Sequence, residues 1–225
     1  TLRDVFDRLK AGDEECRERY SQSHLMSSFV RLCQAIAYAH SRGVIHRDLK
    51  PENVVIGDYG EVVILDWGLV RQIDPENGDA EEGRVDINPV SGDAPNLTLD
   101  GVVSGTPRYM SPEQARGENG AVDERSDVFS LGILLYEILT LASPFAGRDT
   151  QEILRQVSRA EFVPPRRRMP RGHVSRDLDA ICRKAMVLRP EDRYASVHAL
   201  IDDVFAHLDG RPLAARPVGA ATWAW

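Results

Sequence analysis

Apolar residues recur at helical spacing from the first positions of the chain. Leu2, Val5, Phe6 and Leu9 form one such set, and Leu25, Phe29, Leu32, Ile36 and Ala39 form a second, spaced as one buried helix face requires. Residues 1–43 are therefore expected to form two helices, with Gly43 stopping the second. The pattern then turns β-branched: Val44-Ile45, Asn53-Val54-Val55-Ile56 and Val62-Val63-Ile64-Leu65. The last two runs, joined by Gly57-Asp58-Tyr59-Gly60, predict a short hairpin. From 71 to 100 the periodicity disappears. Asp74, Glu76, Asp79, Glu81, Glu82, Asp86, Asp93 and Asp100 meet only Arg71 and Arg84 there. Such a stretch buries too little apolar surface to offset its ordering entropy and is expected to be a mobile acidic insert. Its glycines do not follow acids at the first, third and fifth positions of a calcium loop, which argues against an EF-hand. Residues 128–139 are apolar nearly all round, as a central buried helix is. Shorter helical patterns follow at 150–159, 178–188 and 196–208, and residues 211–219 read as a Pro/Ala/Arg linker.

Composition narrows the class. With 225 residues, 42% hydrophobic and 28% charged, the chain can bury the core of a single domain. Its formal charge of −7 has the wrong sign for holding nucleic acid by an overall field. Arg166-Arg167-Arg168 with Arg171 is the local exception, read as a solvated or protein-docking surface. The apolar run at 128–139 is interrupted by Ser130, Gly132 and Glu137, and it falls short of the roughly 18 residues of a bilayer span. Cys16, Cys33 and Cys182 have neither zinc-site spacing nor disulfide-scaffold density, so a cytoplasmic setting is expected. The first residues lack a signal-peptide pattern and an initiator Met, so the chain is expected to be cut from something longer.

The strongest chemical signal is His46-Arg47-Asp48-Leu49-Lys50-Pro51-Glu52-Asn53, a loop entering the hairpin. It offers a carboxylate, an ammonium two residues on and a carboxamide five residues on. Asp66-Trp67-Gly68 follows at the mouth of the second hairpin strand. Asn53 and Asp66 are hard oxygen donors suited to Mg²⁺. Asp48 is left to accept a proton from an incoming hydroxyl. The layout is that of phosphoryl transfer.

These motifs, followed by Gly105-Thr106-Pro107-Arg108-Tyr109-Met110-Ser111-Pro112-Glu113, Ser126-Asp127-Val128-Phe129-Ser130-Leu131-Gly132 and Arg193 in a Pro-Glu-Asp-Arg-Tyr run, resemble the catalytic C-lobe of eukaryotic-like serine/threonine protein kinases of the bacterial type. The resemblance covers residues 1–208 and implies a mainly α, α+β large lobe with a small β-hairpin at the cleft. It implies a catalytic loop at 46–53, an activation segment at 66–113 containing the insert, and a linker or juxtamembrane start at 209–225. The implied activity is ATP-dependent phosphorylation of Ser or Thr in protein substrates with Mg²⁺ or Mn²⁺. Asp48 would be the base, Lys50 would neutralise the transferred phosphoryl group and bind nucleotide, and Asn53 and Asp66 would hold metal. His46 would pack and support backbone, and Asp127 would accept hydrogen bonds from the His-Arg-Asp loop. Glu113 and Arg193 would form a structural ion pair. Arg47, Thr98 and Ser104 would be regulatory, and Thr106 would bridge Asp48 and Lys50. The remaining histidines and the cysteines are expected to pack or lie at the surface.

The sequence departs from the family at Trp67, where Phe is commoner, and at Ser111, where Ala is usual. It also lacks the parts of the small N-lobe. No two of its 17 glycines stand two apart, and Lys10, Lys50 and Lys184 are its lysines, so the Gly-rich loop and the strand lysine are missing. A fragment of a two-lobed kinase is expected, against a one-lobed scaffold or a small-molecule phosphotransferase. The tail Thr222-Trp223-Ala224-Trp225 would suit a membrane interface further on.

Overall fold

Gly12, at φ 82°, ends α1 (Leu2–Ala11) after the Thr1–Asp4 capping box has opened it. Asp13 then caps a second helix, α2 (Glu14–Arg19), its Oδ1 accepting the Cys16 N–H at 2.9 Å. The first 43 residues thus hold three helices where the pattern suggested two. Cys16 is the buried residue of α2, and one residue makes no stripe. Ser21 caps α3 (Gln22–Ser41), which buries Leu25, Phe29, Leu32 and Ile36. The structure, a computed structural model, describes residues 1–67, 71–72 and 107–216. Thr98, Ser104, Thr106, residues 73–100 of the acidic insert and the tail tryptophans lie outside the described residues.

Gly43, at φ 72°, turns the chain into β1 (Val44–Ile45). The hairpin follows, with β2 (Val54–Ile56) antiparallel to β3 (Val62–Ile64) and Val55 opposite Val63. The Leu65 N–H donates to the Asn53 carbonyl at 2.8 Å, which carries the pairing one step towards Asp66. β4 (Arg71–Gln72) pairs antiparallel with β1.

Beyond residue 106 lie α4 (Pro112–Ala115), α5 (Glu124–Thr140), α6 (Thr150–Ser158), α7 (Pro165–Arg168), α8 (Arg176–Ala185) and α9 (Val197–Leu208). Every residue of α5 from Ser126 to Thr140 is buried, and α3, α8 and α9 pack around it. A Cβ on Gly132 would stand 2.6 Å from Met186 Cγ and 2.9 Å from Ala185 Cβ. Glycine at this position is what admits α8 so close. The three cysteines are free and buried. After α9 the chain stays on the lobe: Leu213 is buried, and Asp203 accepts the N–H groups of Ala214 and Ala215 at 2.7 and 2.8 Å and the Tyr194 hydroxyl at 2.7 Å.

One buried ion pair fastens the start of α4. Arg193 meets Glu113 with two parallel bonds of 2.8 Å, and its remaining three N–H groups reach the carbonyls of Val187, Arg125 and Leu188. The Ser126 hydroxyl completes Glu113 at 2.7 Å. All five guanidinium donors are used, as a charge this deep requires. Burial opposes ionisation of Glu113 most strongly, yet the Arg193 hydrogen bond and charge with the Ser126 hydroxyl hold its carboxyl below the usual range.

Arg193→Met should cost about 3–5 kcal/mol in urea unfolding, because Glu113 is left buried and unpaired. The pH dependence should have the sign of a depressed carboxyl. The pair's stabilisation is present above the ordinary glutamate value of 4.5 and fades as pH falls through the lower folded value. In the variant that acid-side loss should disappear.

Candidate active site

The loop between β1 and β2 is built around a carboxylate that it does not itself contain. Asp127, in the first turn of α5, is fully buried. Its Oδ2 accepts the His46 N–H and its Oδ1 the Arg47 N–H, both at 2.9 Å. Arg47 has φ 68°, a left-handed conformation that costs a non-glycine residue roughly 1–2 kcal/mol. Two charge-assisted bonds to one rigid helix offset that cost.

His46 is buried below the loop, with its ring centroid 4.7 Å from that of Trp67. The Asp48 N–H donates to its Nδ1 at 3.3 Å, so the ring proton sits on Nε2, 3.3 Å from the Leu65 carbonyl. Burial pushes its pKa down, against the charge of Asp127, and the neutral ring this favours is the one that can accept from Asp48.

Asp48, Lys50 and Asn53 are brought into contact. Lys50 Nζ lies 2.5 Å from Asp48 Oδ2. Asn53 Nδ2 donates to the Asp48 carbonyl at 2.9 Å and reaches its Oδ2 at 3.3 Å. The turn at Pro51–Asn53 closes this arrangement, with the Asn53 N–H on the Lys50 carbonyl at 3.0 Å. Because Asn53 commits its NH₂ to Asp48, its amide oxygen is the end left for a cation. Asp66 follows Leu65, whose N–H is on Asn53, and it is exposed with φ 57°. The donor set is one amide oxygen and one carboxylate, which fits Mg²⁺, an ion that keeps water and takes phosphate oxygens for the rest.

Other residues of the site carry weaker sequence signals. His40, expected to pack or lie at the surface, places Nε2 2.8 Å from Asp127 Oδ2 and has Nδ1 3.8 Å from Glu124. It therefore helps orient the carboxylate that holds the loop. A polar residue following buried Ala39 at the inner end of α3 was the available clue. Tyr109 forms a second cluster. Its hydroxyl donates to both oxygens of buried Glu137 at 3.0 and 3.1 Å, and Arg3 joins Tyr109 to Glu52 through Nη2 and Nε. Burial pushes Glu137 above the usual carboxylate range, with Arg3 and the Tyr109 hydroxyl pulling the other way. The four residues come from α1, the 46–53 loop, the segment before α4, and α5, and no local spacing announces them.

A helical lobe wrapped on α5, with a hairpin carrying carboxylate, amine and amide at one edge, is the architecture of a kinase large lobe. The solved twitchin kinase region of C. elegans shares the fold, with a TM-score of 0.62 and 24% identity over 82% of this chain and 28% of that one. The family described as protein kinase domain matches residues 3–205. The chain belongs to the protein kinase domain family. The serine/threonine-protein kinase PknD of Protochlamydia amoebophila is 44% identical over 188 residues, covering 83% of this chain and 19% of that protein. PknD of Chlamydia felis is 38% identical over 203 residues, covering 88% and 21%. The chain spans about a fifth of the length of these curated relatives.

Asp127→Asn should expose how the loop is held. The amide puts a donor where two backbone N–H groups and His40 require acceptors, so a loss of about 2–4 kcal/mol is expected. Urea unfolding measures the loss, and amide exchange at residues 46 and 47 should rise with it. Unchanged exchange at those two amides would show that Asp127 does not hold the loop.

Proposed function

We propose that this chain supplies the large lobe of a two-lobed kinase that transfers the terminal phosphoryl group of ATP to Ser or Thr hydroxyls in protein substrates. The carrying observation is the contact of Asp48 with both Lys50 and Asn53. Asp48 orients the incoming hydroxyl and accepts its proton as the new bond forms. Lys50 balances the charge of the phosphoryl group in transit. Asn53, through its amide oxygen, and Asp66, through its carboxylate, hold the metal. When bound, Mg²⁺ neutralises charge developing on the phosphate oxygens.

Within this reading residues 1–208 are the lobe, with the catalytic loop at 46–53 and the activation segment at 66–113. Residues 209–225 begin the linker, held to the lobe at Leu213, Ala214 and Ala215. Arg47 receives a phosphate placed on Thr98 or Ser104, and Thr106 bridges Asp48 and Lys50. Lys50, two residues after Asp48, and the Gly105-Thr106-Pro107 run favour the serine/threonine branch. The segment from Tyr109 to Glu113 is pinned to α5 through Glu137, Ser130 and Ser126. A rigid shelf beside the catalytic loop favours a polypeptide acceptor over a small molecule. Among the described residues no helix is long and apolar enough to cross a membrane.

In the two-lobed enzyme Asp48→Asn should lower kcat by roughly 10²–10⁴-fold while the unfolding midpoint stays put. Normal turnover in that variant would end the assignment. The 225 residues alone supply the metal-side contacts and no Gly-rich loop or strand lysine. Calorimetry should therefore find Mg-ATP bound more weakly than micromolar, and stoichiometric micromolar binding would contradict the two-lobed reading.

A further inference from the structure

Ser111 and Gln114 open α4 with a capping box. The Ser111 N–H and hydroxyl both donate to Gln114 Oε1, at 2.9 and 3.0 Å, and the Gln114 N–H points back to Ser111 Oγ. A backbone N–H can only donate, so the atom facing it is the amide oxygen. That leaves the Gln114 NH₂, which donates to the Arg47 carbonyl at 2.8 Å, across 67 residues of chain.

The contact falls on a peptide that decides where the base points. The group joining Arg47 to Asp48 is held at both ends: its carbonyl by Gln114 and its N–H by His46 Nδ1. On the other side of Arg47, its own N–H is on Asp127. With φ of Arg47 at 68°, relaxation of this peptide would swing the Cα–Cβ bond of Asp48. The cap that carries Gln114 cannot yield easily. Pro112 and Glu113 are buried, and Glu113 is tied to Arg193 and Ser126.

We propose that Gln114 is a positioning residue for Asp48: its carboxamide clamps the Arg47 carbonyl and sets the substrate-side shelf and the catalytic loop as one piece. Helix capping alone does not require an amide here, since glutamate completes the same box. The donor end of Gln114 serves the catalytic loop. A displacement of the shelf is then passed to Asp48 through one side chain.

The consequence for turnover rests on the proposed role of Asp48, and the consequence for loop order does not. Gln114→Glu in the two-lobed enzyme keeps the cap and loses the donor. Its kcat should fall tenfold to a hundredfold, the range a displaced base produces, with KM for ATP within about twofold and the unfolding midpoint within about 2 °C. Amide exchange at residues 47–49 should quicken at least tenfold, with α6 and α8 unchanged. Gln114→Met, which removes both ends, should lower kcat at least as far. Wild-type kcat together with wild-type exchange in Gln114→Glu would overturn the clamp. So would a fall in kcat with faster exchange spread across α4 and α6, the mark of a merely structural residue. If the unaltered enzyme transfers no phosphate, the proposed activity fails and the exchange at 47–49 alone decides the clamp.

Discussion

A carboxylate sealed inside a protein must have donors on both oxygens, and in this lobe that requirement falls on Asp127. Helix α5 is buried along nearly its whole length, so it is held on all sides by its neighbours. Asp127 sits at its N-terminal end, where the helix dipole favours negative charge. Its donors are the two N–H groups that begin the His-Arg-Asp loop and the ring of His40. The loop is therefore not free to choose its backbone. Arg47 takes a left-handed conformation because the alternative leaves a buried charge short of donors, and that penalty exceeds the strain.

The same helix collects the other functional segments by the same means. Glu137, ten residues further along α5, fixes Tyr109 and through Arg3 reaches Glu52 in the 46–53 loop. Ser126 and Ser130 hold Glu113 and the Tyr109 carbonyl. Burial of these groups adds little net stability compared with apolar packing of equal volume. Its effect is directional: each bond has one geometry, whereas leucine against leucine tolerates many. An apolar stripe makes the lobe, and polar groups set into that stripe place the site on it.

This division explains what could be read from the chain. Stripes such as Leu25, Phe29, Leu32 and Ile36 are periodic, so α3, α5, α6, α8 and α9 were legible, as was the Val54/Ile64 hairpin, whereas the four-residue α4 and α7 are too short to show a period. Helix α2 was not, because a helix of Glu14–Arg19 buries only Cys16. At the site, Asp48, Lys50 and Asn53 were legible because they share one loop, and a loop that short brings its side chains together. Arg3, Glu137 and Gln114 were silent for the opposite reason, and His40 left only the faint clue of its place in α3. Each acts on a residue 49 or more positions away, apart from the Tyr109–Glu137 pair, and no period in the sequence encodes that distance. In the sequence Ser111 stands out only as a departure from the usual Ala. Its use, orienting Gln114, becomes visible when the cap is seen to face Arg47.

The Lys50–Asp48 contact bears on how such a site avoids idle chemistry. At 2.5 Å the ammonium sits on the oxygen that the proposed mechanism needs for the hydroxyl proton. While the pair lasts, that oxygen is covered by the ammonium and cannot meet the hydroxyl. Phosphate oxygens carry more negative charge than one carboxylate and would draw Lys50 away. On the proposed reading, arrival of the nucleotide then uncovers the Asp48 oxygen. The amide of Asn53 meanwhile keeps the backbone of Asp48 in place, because it bonds to the carbonyl at 2.9 Å, independently of Lys50. An amide suits that task better than a carboxylate or an amine. It can hold Asp48 with its NH₂ and offer its oxygen to a cation at once, which neither charged group could do.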